Sequence, residues 1–170
     1  WVGTHRRGVF LLTPEADGAK LVEHLTFENT AGGLRSNQIN AVFRDREGVI
    51  WFGTDRGVCR YDRDSFRAAM LSNDSQSNYV RKLLQASNGE LWCGTNRGLF
   101  RLATPENRAV AVGEIQSRSV YSLLEDPSGT IWAGTSDGLF FKSRETANFV
   151  RVTETPATEI TIENENAAVI

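Results

Sequence analysis

The stretch Trp51-Phe52-Gly53-Thr54-Asp55-Arg56-Gly57-Val58 recurs as Trp92-Cys93-Gly94-Thr95-Asn96-Arg97-Gly98-Leu99 and as Trp132-Ala133-Gly134-Thr135-Ser136-Asp137-Gly138-Leu139. A fourth copy, Trp1-Val2-Gly3-Thr4-His5-Arg6-Arg7-Gly8-Val9, opens the chain with one extra residue before its second glycine. The tryptophans stand 50, 41 and 40 residues apart, a period that belongs to arrays of small antiparallel sheets. Such units stack, because each needs a neighbour to bury its apolar face.

Local chemistry within the period dictates strands. Ahead of each tryptophan lies a turn with glycine in fourth place: Asp45-Arg46-Glu47-Gly48, Ala86-Ser87-Asn88-Gly89 and Asp126-Pro127-Ser128-Gly129. Glycine there takes a positive φ without steric cost, as short hairpin loops require. A second glycine-closed turn follows each tryptophan strand. Beyond it, runs such as Val58-Cys59-Arg60-Tyr61 and Leu99-Phe100-Arg101-Leu102 have the apolar patterning of buried or half-buried strands. A fourth strand over Phe66 to Leu71, Arg108 to Val112 and Phe149 to Val152 completes the unit, and four meandering strands per period make a propeller blade. The expected fold is therefore an all-β propeller of four-stranded antiparallel blades, with about four repeats present.

The boundaries follow from the register. Residues 1–33 form a partial blade, 34–73, 74–114 and 115–154 form full ones, and 155–170 form a partial inner strand of an eroded repeat. The first blade is expected to carry a long hairpin loop over Thr13 to Lys20. Because the chain begins and stops inside repeats, it reads as an excerpt of a longer protein. The favoured architecture is an arc of a larger propeller. The alternative is a closed four-bladed ring in which the strand ending at Ile170 completes the first blade.

Composition narrows the function classes. With 40% hydrophobic and 24% charged residues the chain is ordinarily globular, and a net charge of −2 gives no general attraction to nucleic acid. No run approaches the ~20 apolar residues that span a bilayer. Cys59 and Cys93 occupy different repeat positions and read as small buried hydrophobes. His5 and His24 have no companion at metal-ligand spacing, so neither metal nor cofactor is expected. Nucleophile elbows, zinc-binding His-Glu motifs and phosphate loops are absent from the sequence, which argues against an enzyme.

The combination of Gly33-Leu34-Arg35-Ser36-Asn37-Gln38-Ile39 with Asp45 through Val58, repeated at Leu123 through Thr135, closely resembles the two-component regulator propeller repeat. Ala86 in the turn, the extra residue near Arg7 and the eroded last repeat depart from it. The resemblance implies paired, usually seven-bladed propellers on the periplasmic or extracellular side of a bacterial membrane receptor. Their output domains, a histidine kinase or a diguanylate cyclase, are not part of this sequence. It further implies glycan sensing, in a receptor that could be a homodimer. This segment would contact the remaining blades of the parent, but neither nucleic acid nor membrane.

The repeated residues read as architecture. Tryptophans at every repeat suit packing between blades better than an exposed carbohydrate platform. Gly53, Gly94 and Gly134 would permit close backbone approach within the sheet, and Thr54, Thr95 and Thr135 would bond the following turn. Function is expected where repeats vary, on loops carried by a rigid scaffold. The turns after the tryptophan strands and the loops leading into the inner strands share one face. There lie Arg6, Arg7, Arg56 and Arg97, with His5, from the turns. Arg35, Asn37, Asn78, Tyr79 and Arg118, with Gln38, come from the loops. These nine, His5 and Gln38 aside, are the expected site for a small polar or anionic ligand such as an oligosaccharide, with arginine forks on carboxylate or sulfate and amides on hydroxyls. Plain polar turn residues are the bland alternative for each. A propeller lyase and a purely protein-binding propeller are the other functional classes left open; the first needs His and Glu near the axis, the second an apolar patch.

Overall fold

The glycines ahead of each tryptophan strand do reverse the chain. Gly48, Gly89 and Gly129 adopt φ of 86°, 89° and 82°, a region that a Cβ disfavours. The computed structural model describes residues 1–63, 65–103 and 108–153. Its first sheet contains β1 (Val2–Gly3), β2 (Val9–Glu15) and β3 (Gly18–Leu25). The second contains β4 (Ile39–Arg44), β5 (Ile50–Thr54), β6 (Gly57–Asp62) and β7 (Ser65–Ala69). A one-turn helix, α1 (Ser75–Asn78), leads into the third, made of β8 (Val80–Gln85), β9 (Leu91–Thr95), β10 (Gly98–Ala103) and β11 (Arg108–Ala111). A 3-10 turn at Gly113–Ile115 precedes the fourth, β12 (Val120–Glu125), β13 (Ile131–Thr135), β14 (Gly138–Lys142) and β15 (Val150–Arg151). Every pairing is antiparallel between consecutive strands, so each sheet is a meander and a propeller blade.

The sheets follow one another in chain order. Inner strand β4 lies beside β8, and β8 beside β12, while β1 packs on β4, β5 on β8 and β9 on β12. Among the described residues no strand packs on β13 in the same way, so the four sheets form an open arc. The closed ring depended on residues 155–170, which lie outside the described residues. In the first sheet the expected long loop is replaced by strand: β2 and β3 pair out to Glu15 and Gly18 and reverse at Ala16-Asp17. Gly18, at φ 143°, permits that tight reversal.

Three apolar cores lie between sheets. Trp51, Val49, Val58 and Leu71 meet Val80, Leu91, Cys93, Phe100 and Leu102 of the next blade. Trp92 and Leu99 likewise meet Val120, Ile131, Ala133 and Phe140. Trp1 sits edge-on to Phe52 and Tyr61, with centroids 5.8 and 5.4 Å away. The tryptophan of one blade thus fills the wedge to its successor.

The following glycine makes room for the same neighbour. A Cβ on Gly53 would lie 2.6 Å from Val80 Cγ1, and one on Gly94 2.7 Å from Val120 Cγ1. The close approach expected within a sheet is therefore chiefly between sheets. At Gly134 the nearest atom is Ser122 Oγ of its own blade, since no further sheet is described. Cys59 and Cys93 are buried and unbridged, and burial pushes the Cys59 thiol up to about 11.

The preceding turn is tied to the tryptophan. In the second blade Asp45 accepts from the Val49 amide at 2.8 Å and from Trp51 Nε1 at 2.8 Å. In the fourth, Asp126 accepts from Thr130 N at 3.0 Å and Trp132 Nε1 at 2.8 Å. Ala86 occupies this place in the third blade. Trp92 Nε1 is accordingly buried with no hydrogen-bond partner.

Candidate ligand-binding site at the propeller axis

The turns after the tryptophan strands and the loops leading into the inner strands meet on one face. Thr54, Thr95 and Thr135 shape the turns by donating to the carbonyls of Gly57, Gly98 and Gly138 at 2.9, 2.8 and 2.7 Å. Backbone bonds then join turn to loop. Gly8 N donates to Asn37 O at 2.9 Å, Asn96 N to Tyr79 O at 3.1 Å and Ser136 N to Ser119 O at 2.9 Å.

Most of the expected site residues serve this framework. Asn78 is buried; its Oδ1 accepts from Leu71 N at 2.7 Å and its amide donates to the Ser72 and Asp74 carbonyls. Asn37 caps Phe27 N and donates to Glu28, and that amide bond is the main reason the Glu28 carboxyl titrates below its usual range. Arg97 pairs with Asp74 at 3.3 Å; the Ser77 hydroxyl and amide, helped by Arg97, hold Asp74 low. Arg118 pairs with Asp137 at 2.9 Å and lies 5.4 Å from the Phe140 centroid. With Arg151 it keeps Asp137 low. Arg35 Nε donates to Arg56 O at 3.4 Å. Arg6, Arg7 and Arg56 are exposed. Of the nine, Tyr79 lines the axial cleft described next.

That cleft arises from β-bulges. Ile39 pairs with Thr54 but Ala41 with Gly53, leaving Asn40 extra. The same slip leaves Arg81 extra between Val80 and Lys82, and Tyr121 between Val120 and Ser122. A bulge puts two residues opposite one and re-aims a side chain. Here it happens at the same place in three successive inner strands, and Asn40, Tyr79, Arg81, Lys82 and Tyr121 together line a cleft of about 270 Å³.

Arg81 is held firmly within it. Its guanidinium carbon lies 5.7 Å from the Tyr79 ring centroid and 5.4 Å from that of Tyr121, and its Nε donates to Asn96 Oδ1. Gln38 Nε2 donates to the Tyr79 hydroxyl at 2.7 Å, and Asn40 Nδ2 to Val80 O at 2.9 Å. These bonds fix the cleft wall across two blades.

Sequence reasoning missed Asn40, Arg81, Lys82 and Tyr121. The available signal was the register: Asn40, Arg81 and Tyr121 each follow the first β-branched residue of an inner strand, where one residue too many interrupts the alternation, and Lys82 comes directly after Arg81. It was overlooked because periodicity assigns such residues to a strand face rather than to the axis. A larger cleft, of about 410 Å³, lies among Ser87, Glu125, Lys142 and Arg144, at the opposite ends of the strands. There Arg144 donates to Ser87 at 2.9 Å and Ser87 N to Glu125 at 2.6 Å, so its polar groups link the third and fourth blades. Among the described residues no group of three or more His, Cys, Asp or Glu could hold a metal ion.

The two component regulator propeller pattern matches residues 33–56, 74–97 and 114–137. Solved structures share the fold. The extracellular domain assigned to the one component system BT4673 of B. thetaiotaomicron is 26% identical over 93% of this chain and 21% of its own, with a TM-score of 0.73. That assigned to the hybrid two component system BT3049 of the same organism is 21% identical over 91% and 20%, with a TM-score of 0.71. PorZ, a surface component of the type-IX secretion system of Porphyromonas gingivalis, is 16% identical over 91% and 26%, at 0.61. The last two likenesses show the fold alone, and this chain spans about a fifth to a quarter of each structure's length. No curated protein matches the sequence. Three matched stretches, in register with three full blades and flanked by a partial one, identify the repeats of this chain as two-component regulator propeller repeats.

Proposed function

We propose that the chain is a non-catalytic, ligand-sensing segment of the region of a bacterial signalling receptor that lies outside the cytoplasm, in the periplasm or at the cell surface. It recognises a glycan or another small anionic or polar ligand on the face where the turns and inner strands meet. One observation carries this reading: side chains differ between repeats at the bulge position, as Asn40, Arg81 and Tyr121, while the scaffold around them is repeated. A rigid frame with variable residues aimed at one cleft suits recognition. The extracellular neighbours agree with this location. Among the described residues no helix is long and apolar enough to cross a membrane.

The lyase alternative has nothing in its favour here. His5 is exposed, and His24 stacks on Phe10 at 4.1 Å and meets the Arg7 carbonyl at 2.6 Å. Neither lines the axial cleft. Sensing is tested by thermal melts of the purified protein against acidic and neutral oligosaccharides, because a ligand selective for the folded state raises the midpoint with concentration. We expect an acidic oligosaccharide to raise it. A cooperative melt that no member of the panel moves would overturn the reading.

A further inference from the structure

We infer that Arg81 is the anchor for an oxyanion, a carboxylate or sulfate group carried on a small hydroxylated molecule, bound in the cleft between inner strands β4, β8 and β12. This deepens the sensing reading and rests on it. The arginines of the loop face do not share the task.

The argument begins with charge balance. Arg60, Arg97, Arg101, Arg118 and Arg151 each face a carboxylate of Asp or Glu within 3.3 Å. Arg81 has none. Its partners are two aromatic rings and one neutral amide, which fix the guanidinium without cancelling its charge. The Nη atoms make no hydrogen bond among the described residues, so the fork is presented already oriented. A guanidinium held this way loses little entropy on binding and matches two oxygens of a carboxylate or sulfate at once.

The remaining wall has the same polarity. Lys82 brings a second cation, and the Tyr79 hydroxyl, having accepted from Gln38, retains its proton for donation. No carboxylate lines the cleft. Asn40 has its amide committed to Val80 O and its Oδ1 to Gln38, so the free hydrogen-bonding capacity is mainly donor. A wall richer in donors than in acceptors selects an acceptor-rich ligand. Tyr121, with 51% of its surface exposed, offers an apolar surface beside them against which a ring can lie. Of the loop arginines, Arg97 and Arg118 are already paired, Arg6, Arg7 and Arg56 are exposed, and Arg35 is held by one 3.4 Å bond to the Arg56 carbonyl without the pair of rings that fixes Arg81.

The test uses the intact chain with sodium glucuronate, sodium sulfate, glucose and acetate as probes. In nitrogen-15 spectra, the Nε–H of Arg81, sheltered by its bond to Asn96, should shift with glucuronate and sulfate and stay in place with glucose. Arg81→Gln should weaken glucuronate binding by at least about tenfold, as loss of a charged hydrogen-bonding partner does. Arg81→Lys, which keeps the charge but not the fork, should weaken it nearly as much. Arg97→Gln should leave it within about twofold, as expected of an exposed, already paired charge. Unchanged melting midpoints in the variants establish that they fold. If neither glucuronate nor sulfate moves the Arg81 signal, the assignment is wrong. It is equally overturned, with sensing intact, if an acidic oligosaccharide still binds Arg81→Gln but not Arg97→Gln. Conversely, anions that shift Arg81 while no glycan moves the melt support the anchor and overturn glycan sensing.

Discussion

Trp92 and Trp132 occupy the same register in neighbouring sheets, yet Trp92 is 3% exposed and Trp132 is only half-buried. Around them the contrast repeats. Leu99 is fully buried where Leu139 is 39% exposed, and Thr95 is buried where Thr135 is not. Both blades make the same hairpins and the same threonine bonds. The repeat motif therefore specifies strand and turn by itself, whereas burial of its tryptophan face is conferred by the sheet that follows. In a repeat array, stability is the sum of unit and interface terms, and among the described residues the fourth blade has one interface fewer.

Replacing the two tryptophans separates these terms most strongly. Trp92→Ala should cost about 3–5 kcal/mol, as for a large buried aromatic, and Trp132→Ala about 1–2 kcal/mol, for partial burial. Urea unfolding of both variants checks this, and equal losses would break the comparison. The glycines should follow in a second, smaller contrast. Gly94→Ala meets Val120 and should cost about 1–3 kcal/mol through overpacking. Gly134→Ala meets the hydroxyl of exposed Ser122, which can rotate away, so its cost should stay within about 0.5 kcal/mol.

The turn acid provides a contrast of opposite sign. Ala86→Asp gives the orphaned Trp92 Nε1 the acceptor that Asp45 and Asp126 supply in adjacent blades, and should stabilise by about 1 kcal/mol. Asp126→Ala should destabilise by a similar amount. Thermal melts of the pair measure both. Loss of stability in Ala86→Asp would mean that the core around Ala86 has no room for the carboxylate.

Acid should act through the same groups. Burial opposes ionisation of Asp126, but bonds from Ser128, Trp132 and Thr130 outweigh it and depress its pKa. Asp74 and Asp137 are depressed too. Depressed carboxylates favour the folded state above their ordinary value of 3.8 and lose that contribution as pH falls through the folded values. Stability should therefore decline below about pH 4, less steeply in Asp126→Asn, as denaturant midpoints across that range would show.

The candidate site was less legible than the fold. Arg97 and Arg118 stand out in a sequence as cations on variable loops, but it is the fold that brings Asp74 and Asp137 beside them. Arg81 looks like an ordinary outward strand residue until the bulge and the two tyrosines are seen. Tyr79 and Tyr121 are 42 positions apart in sequence and meet the same guanidinium.

What the sequence determined was everything local. Glycine at each turn, threonine at each strand end and tryptophan once per period specify hairpins whose bonds span a few residues, so meander and period could be read directly. What tertiary structure decided was which equivalent residues are buried, which polar groups are paired and which side chains reach the axis. Those depend on the next sheet, about forty residues away along the chain, and on bulges that strand patterning does not encode.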